Sequence, residues 1–313
     1  MARAPDFGAR MPAAPPRFAL LGAAGYIAPR HLDAIRHAGG TLVAAHDPHD
    51  SVGVLDAYAP GAAFFTEYER FDRHLERLRR EGRGVDYLVV CSPNHLHDAH
   101  CRLGLRLGAD VICEKPVTLH PWNLDGLREL ERDTGRRVWC ILQSRLHPGY
   151  ARLRALAGAA SAQASARVTI HYVTPRGPWY RYSWKGDPER SGGVVSNIGV
   201  HLFDAVLSCF GELREARVSE LDVTRAAGTL RLARAEVTWT LSVRPEDLPA
   251  GREGPLRSFA VGGEAVDLSR GFEALHRESY ARILAGEGFG LGEARPAIAL
   301  VSGLRGGAGA PRA

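Results

Sequence analysis

Lys115 and Lys185 are the only lysines in a chain of 313 residues in which Lys and Arg together number 40. Arginine serves everywhere else, so a retained lysine is wanted for an ammonium that can give up its proton, which a guanidinium effectively cannot. Lys115 closes the apolar run Val111-Ile112-Cys113-Glu114-Lys115-Pro116. Pro116 is expected to hold a cis or constrained bond that aims the lysine out of the strand. His201 is the second group able to move a proton near neutral pH. Asn197, His201 and Asp204 recur at helical spacing, which puts Asn197 and His201 on one face of a helix read from Ile198 to Phe210. Lys115 and His201 are thus the candidate catalytic bases, and the residues leave open which one takes a proton. Two bases sharing one substrate oxygen titrate as a coupled pair. Asn197, a neutral amide, does not raise the pair's proton affinity as a carboxylate would.

The elements that must position these groups are legible as punctuation. Arg17 to Gly22 is an apolar run that stops at glycine, and a helical pattern follows from Arg30 with Pro29 in its first turn. Strand, tight turn and helix form a phosphate-binding unit, with Gly22, Gly25, Tyr26 and Ile27 as cofactor contacts. The spacing Gly22-x-x-Gly25-x-x-Ala28 is one residue longer than the usual dinucleotide fingerprint and is weak alone. Its context strengthens it: Asp47 ends the next strand, Thr41–Asp47, about 20 residues on, where a ribose-binding carboxylate belongs. A carboxylate there repels a 2′-phosphate and favours NAD. Ser92-Pro93-Asn94 breaks the strand Val85–Cys91, so Ser92, Asn94 and His97 are expected to border the cofactor, with Asn94 and His97 on the nicotinamide side. Cys91, His95, His97 and His100 lack the spacing of a metal centre, and no metal is expected.

Strands alternate with helices as far as the strand Arg137–Leu142, which implies a parallel doubly wound Rossmann sheet over 17–145. Strands then dominate, giving an α+β domain over 146–304 on a large, open, mainly antiparallel sheet. Residues 1–16 read as a disordered leader, with Met11 a second candidate start, and 305–313 as a flexible tail. The net charge of +5 is spread among scattered arginines, which argues against nucleic acid as a partner. No apolar run approaches the roughly 18 residues of a membrane span. Five cysteines without paired spacing suit reduced thiols in a cytoplasmic protein. The open second sheet suits a homodimer or homotetramer.

These motifs resemble the Gfo/Idh/MocA oxidoreductase superfamily. Glu114-Lys115-Pro116 matches its E-K-P motif, Ser92-Pro93-Asn94 with His97 its strand-end motif, and Asn197 to Asp204 its histidine-bearing helix. Within it, the turn Gly22 to His31, Asp50-Ser51-Val52-Gly53 and the loop Arg176 to Pro188 are similar to the UDP-N-acetyl-glucosaminuronic acid 3-dehydrogenase (WlbA/WbpB) type. The resemblance implies NAD as cofactor, with Glu114 and Lys115 beside it, and oxidation of the 3-hydroxyl of a UDP-sugar in surface polysaccharide synthesis. It also implies that Arg176 and Lys185 hold the uronate carboxylate or the diphosphate. Trp179, Tyr180 and Trp184 would then wall the sugar or uridine, with Asn197 and His201 also touching the substrate. Two rival readings are a related dehydrogenase of another sugar or polyol and a catalytically silent dinucleotide sensor.

Overall fold

The computed structural model describes residues 14–160 and 165–306. The leader up to residue 13, Met11 included, and the tail from 307 lie outside the described residues. The first half alternates strictly: β1 (Arg17–Leu21), α1 (Ala28–His37), β2 (Thr41–His46), α2 (Val54–Tyr58), β3 (Ala63–Phe65), α3 (Tyr68–Arg80), β4 (Tyr87–Val90), α4 (His97–Arg106), β5 (Asp110–Cys113), α5 (Pro121–Thr134) and β6 (Val138–Cys140). The six strands pair in parallel in the order β3-β2-β1-β4-β5-β6. The central strands β1, β4 and β5 are almost wholly buried because helices cover both faces. The strand order reverses between β1 and β4, and a crevice at such a point, beyond the carboxyl ends of the strands, is where a ligand belongs. Strand β3 is too short to show any period and was not expected.

The second half runs α6 (Pro148–Ala160), β7 (Ala166–Val173), α7 (Trp179–Tyr182), α8 (Pro188–Ser191), α9 (Gly193–Asn197), α10 (Val200–Phe210), β8 (Leu213–Leu221), β9 (Arg225–Leu232), β10 (Ala235–Ser242), β11 (Leu256–Val261), β12 (Glu264–Asp267), α11 (Leu275–Leu284) and α12 (Leu291–Arg305). Its sheet has the order β12-β11-β7-β10-β9-β8, antiparallel except for the β7–β10 pair. Alternation decides its faces. Val237, Trp239 and Leu241 of β10 point into the core, while Glu236 and Thr238 are exposed.

One expectation needs correction. The helix expected over Ile198–Phe210 is present as α10 from Val200, but Asn197 lies outside it: α9 stops at Asn197, and the segments Pro188–Asn197 and Val200–Phe210 meet at 47°. Gly199 sits at the break, where a Cβ would lie 2.5 Å from the Val195 carbonyl oxygen and 2.6 Å from Leu241. Asn197 and His201 therefore do not share one continuous helix face. Residues 146–304 also reach back onto the first sheet's layers. Helix α11 packs on α1 and α12 on α5 and β6, so one apolar core runs from Val90 through Ile170 to Val301. Among the described residues, no single helix is long and apolar enough to cross a membrane.

Candidate active site

The turn after β1 is shaped by sterics. Gly22 has φ 94°, and a Cβ there would lie 2.6 Å from the carbonyl carbon and oxygen of Cys91. Only glycine lets the turn pass this close to the end of β4. Asp47, just past β2, accepts hydrogen bonds from the N–H groups of Ala24 (3.0 Å) and His49 (2.9 Å), which fix its carboxylate beside the turn. Among the described residues, the N–H groups of Tyr26 and Ile27 have no hydrogen-bond partner, and they lie at the positive end of α1. Unpaired amides at a helix start and a tethered carboxylate are the donors and acceptor that a dinucleotide diphosphate and ribose require, so these residues fit NAD. The Tyr26 side chain is exposed and Ile27 is half-buried.

The groups expected on the nicotinamide side are held by protein contacts. Both ring nitrogens of buried His97 are taken by carbonyl oxygens, of Pro116 at 2.7 Å and Ser92 at 2.8 Å. Asn94 donates to the Ser191 carbonyl at 2.7 Å and so pins α8 to the first sheet. The Ser92 hydroxyl is paired with His100 at 2.8 Å, and burial holds that imidazole down at about 3. His97 in particular has no polar atom left for a cofactor. Strand-end position alone could not distinguish a crevice wall from a staple between two strand ends.

The Lys115–Pro116 bond is cis. The Lys115 ammonium donates to the main-chain carbonyl of Asn197 at 2.9 Å, so Asn197 meets it through the backbone. Burial lowers the Lys115 pKa, Glu114 and Tyr172 oppose that, and Arg257 and Arg176 add to it. His201 is held well below the ordinary 6.5, first by burial and then by the charge of Lys115. Its Nδ1 is buried without a hydrogen-bond partner. Asp204, one turn on, faces away from this pair: its carboxylate takes two hydrogen bonds from Arg145, at 2.7 and 2.8 Å.

Glu114 also turns away from the crevice. Its Oε1 accepts from His31 of α1 at 3.1 Å and His276 of α11 at 3.0 Å, and its Oε2 from the Lys115 N–H at 3.2 Å. The expected cofactor contact is thus a buried carboxylate clamped by protein groups.

The loop from Arg176 to Pro188 reaches the same place. The Lys185 ammonium lies 4.5 Å from the centroid of the Trp184 ring and 5.9 Å from that of Trp179. Burial lowers its pKa, followed by the charges of Arg176 and Lys115. Tyr180 is buried beside Asn197, while Trp179 is half-exposed. Sequence reasoning missed Arg257 of β11. Its guanidinium stacks on Tyr172 (5.2 Å) and Phe272 (4.7 Å), and its charge reaches Lys115 and His201. Among the described residues, no carboxylate forms an ion pair with Lys115, Arg176, Lys185 or Arg257. Like charges left unpaired around one crevice are costly unless an anion completes them, so the site is built for a multiply anionic ligand.

Comparison with known proteins agrees with this geometry. Residues 16–142 match the model of the oxidoreductase family, NAD-binding Rossmann fold, and 165–234 that of the oxidoreductase family, C-terminal alpha/beta domain. The WlbA (WbpB) dehydrogenase of Thermus thermophilus is similar in two crystal structures, each 48% identical and covering 93% of this chain and 94% of that one. One, in complex with NAD and α-ketoglutarate, has a TM-score of 0.90; the other, with NAD and UDP-GlcNAcA, has 0.89. The inositol 2-dehydrogenase of Rhizobium meliloti (strain 1021) is 26% identical over 63% of this chain and 55% of that protein. Two family models across both sheets, together with a 48%-identical relative aligned over nearly the whole chain, show that this chain belongs to the Gfo/Idh/MocA oxidoreductase family.

Proposed function

We infer that the protein oxidises the 3-hydroxyl of UDP-N-acetyl-glucosaminuronic acid (UDP-GlcNAcA) to the 3-keto sugar, with NAD as oxidant. The observation that carries this reading is the 48% identity to a dehydrogenase whose crystal structure holds NAD and UDP-GlcNAcA, joined to a crevice of unpaired cations. That ligand brings a uronate carboxylate and a diphosphate, the charges that Arg176, Lys185 and Arg257 lack. NAD supplies the hydride acceptor. The protein's own part is to hold the carbinol and take its proton. Of the two candidate bases, His201 is the neutral one. Its ordinary value of 6.5 lies far below the lysine's 10.5, and burial and the neighbouring ammonium push it lower still. His201 therefore accepts the hydroxyl proton, while Lys115 stays cationic and stabilises the negative charge that develops on the oxygen.

The sign of the pH dependence follows. A base whose pKa lies below 6.5 is already free at that pH, so the profile of kcat/KM shows no acid limb above pH 6.5. A limb rising between pH 7 and 8, measured from initial rates in a constant-ionic-strength buffer series, would count against His201 as the base.

The Lys185→Ala variant is expected to raise KM for UDP-GlcNAcA by about 10- to 100-fold, the loss of one hydrogen bond to a charged group. Steady-state kinetics at saturating NAD measure it, and an unchanged KM removes Lys185 from the substrate site.

A second substrate is favoured by one observation. The Thermus enzyme also binds α-ketoglutarate beside NAD, and a dicarboxylate suits the same cations. Reduction of α-ketoglutarate to 2-hydroxyglutarate would return NADH to NAD in place, one carbonyl reduced for each hydroxyl oxidised. The proposed setting is the cytoplasm, in the synthesis of surface polysaccharide precursors, by a homodimer or homotetramer. The test of substrate identity is a panel of UDP-GlcNAcA, other nucleotide sugars and free polyols, read at the NADH absorbance. Turnover of a polyol alone would favour the related dehydrogenase, and tight NAD binding without turnover the sensor.

A further inference from the structure

We propose that Glu114 is a positioning residue: a buried carboxylate, clamped by one histidine from each end of the chain, that fixes the backbone of Lys115 and sets the charge balance of the Lys115–His201 pair. The inference rests on the reading of that pair as the proton-handling groups. Three elements converge on Glu114. Helix α1 brings His31 from 83 residues away and α11 brings His276 from 162 residues away, and both direct Nε2 at the same oxygen, Oε1. The other oxygen accepts from the N–H of Lys115 itself. Behind His31, the Tyr280 hydroxyl lies 2.9 Å from Nδ1, which leaves Nε2–H as the proton aimed at Glu114. All four side chains are buried.

Hydrogen bonds from the two imidazoles and from the Lys115 N–H hold an ionised carboxylate, a negative charge directly behind Lys115. Burial pushes the Glu114 carboxyl up, but the hydrogen bonds from His276 and His31 outweigh it and hold the carboxyl well below its usual range. That charge raises the proton affinity of both Lys115 and His201. The other groups facing the pair are Arg257 from β11, Tyr172 from β7, and Arg176 and Lys185 from the loop that follows. The arginines and Lys185 are cations, so Glu114 is the counterweight that keeps Lys115 protonated among them.

The test is the pH–rate profile of the full chain carrying Glu114→Gln, an isostere without the charge. Both limbs of kcat are expected to move to lower pH, by about one pH unit, with NAD still bound. His276→Gln keeps a hydrogen-bond donor towards Glu114 and is expected to leave both limbs in place, while His276→Leu removes that donor, leaves the Glu114 charge less shielded and moves them to higher pH, opposite to Glu114→Gln. These histidine variants keep the question answerable if Glu114→Gln does not fold. Limbs that stay fixed in Glu114→Gln and His276→Leu, with only reduced yield or kcat, would reduce Glu114 to a packing role and overturn the proposal. A stoichiometric divalent metal in the purified protein, bound by the same three groups, would overturn it too. Failure of the substrate reading is distinct, because the unmodified protein would then not turn over UDP-GlcNAcA at all.

Discussion

The His201→Asn variant is expected to lower kcat by about 10²- to 10⁴-fold, the range for loss of a general base, while NAD affinity stays within about twofold. Asparagine fills a similar volume and keeps a polar tip, so the crevice stays intact; what it lacks is a nitrogen that can take a proton. The unpartnered Nδ1 of His201 shows that the imidazole is not consumed by the fold. Steady-state rates with UDP-GlcNAcA, together with calorimetric titration of NAD, separate chemistry from binding. Lys115→Met gives a matching loss with one difference. Without the ammonium, the imidazole regains proton affinity, so the acid limb of the residual rate moves to higher pH. Appreciable activity in His201→Asn alongside a dead Lys115→Met would hand the base role to the lysine.

Gly22→Ala is expected to have the largest effect on the cofactor. A methyl group at φ 94° carries the left-handed penalty and also meets the backbone of Cys91 and Ser92 at 2.6 to 2.7 Å, and neither strand end can move freely. The cost is roughly 3 kcal/mol of stability from backbone strain and overpacking combined. Any relaxation spreads β1 from β4, the opening where the dinucleotide belongs. Urea denaturation should show the lower midpoint, and NAD titration a dissociation constant raised by more than tenfold. A variant as stable and as tight as the parent would show that the turn yields more easily than its contacts indicate.

Much of this site could be read from residue types and spacing. A scarce lysine after an apolar run, a glycine ending a first strand and an aspartate ending the second each carry a local reason for their identity. The alternation of apolar runs and amphipathic helices gave the parallel sheet, because such patterns report burial directly. What escaped depends on where distant elements meet. The break before α10 falls where Gly199 packs close to Leu241 of β10, a contact that helical spacing does not register. His31 and His276 look like ordinary helix residues until both point at Glu114. Arg257 is one of 38 arginines, and only its lack of a carboxylate among charges of its own sign singles it out. His97 shows the opposite limit, since a histidine beside a strand end looks the same whether its nitrogens are free or already taken.

The claim on which the rest depends is removal of hydrogen from C3 of UDP-GlcNAcA by NAD. The most direct measurement is a single turnover of the holoenzyme with UDP-GlcNAcA carrying deuterium only at C3, followed by mass and NMR analysis of the cofactor. One deuterium on the nicotinamide ring of the NADH formed, with a 3-keto sugar as product, is the result predicted. NADH that forms without deuterium, or a product oxidised at another carbon, would contradict it.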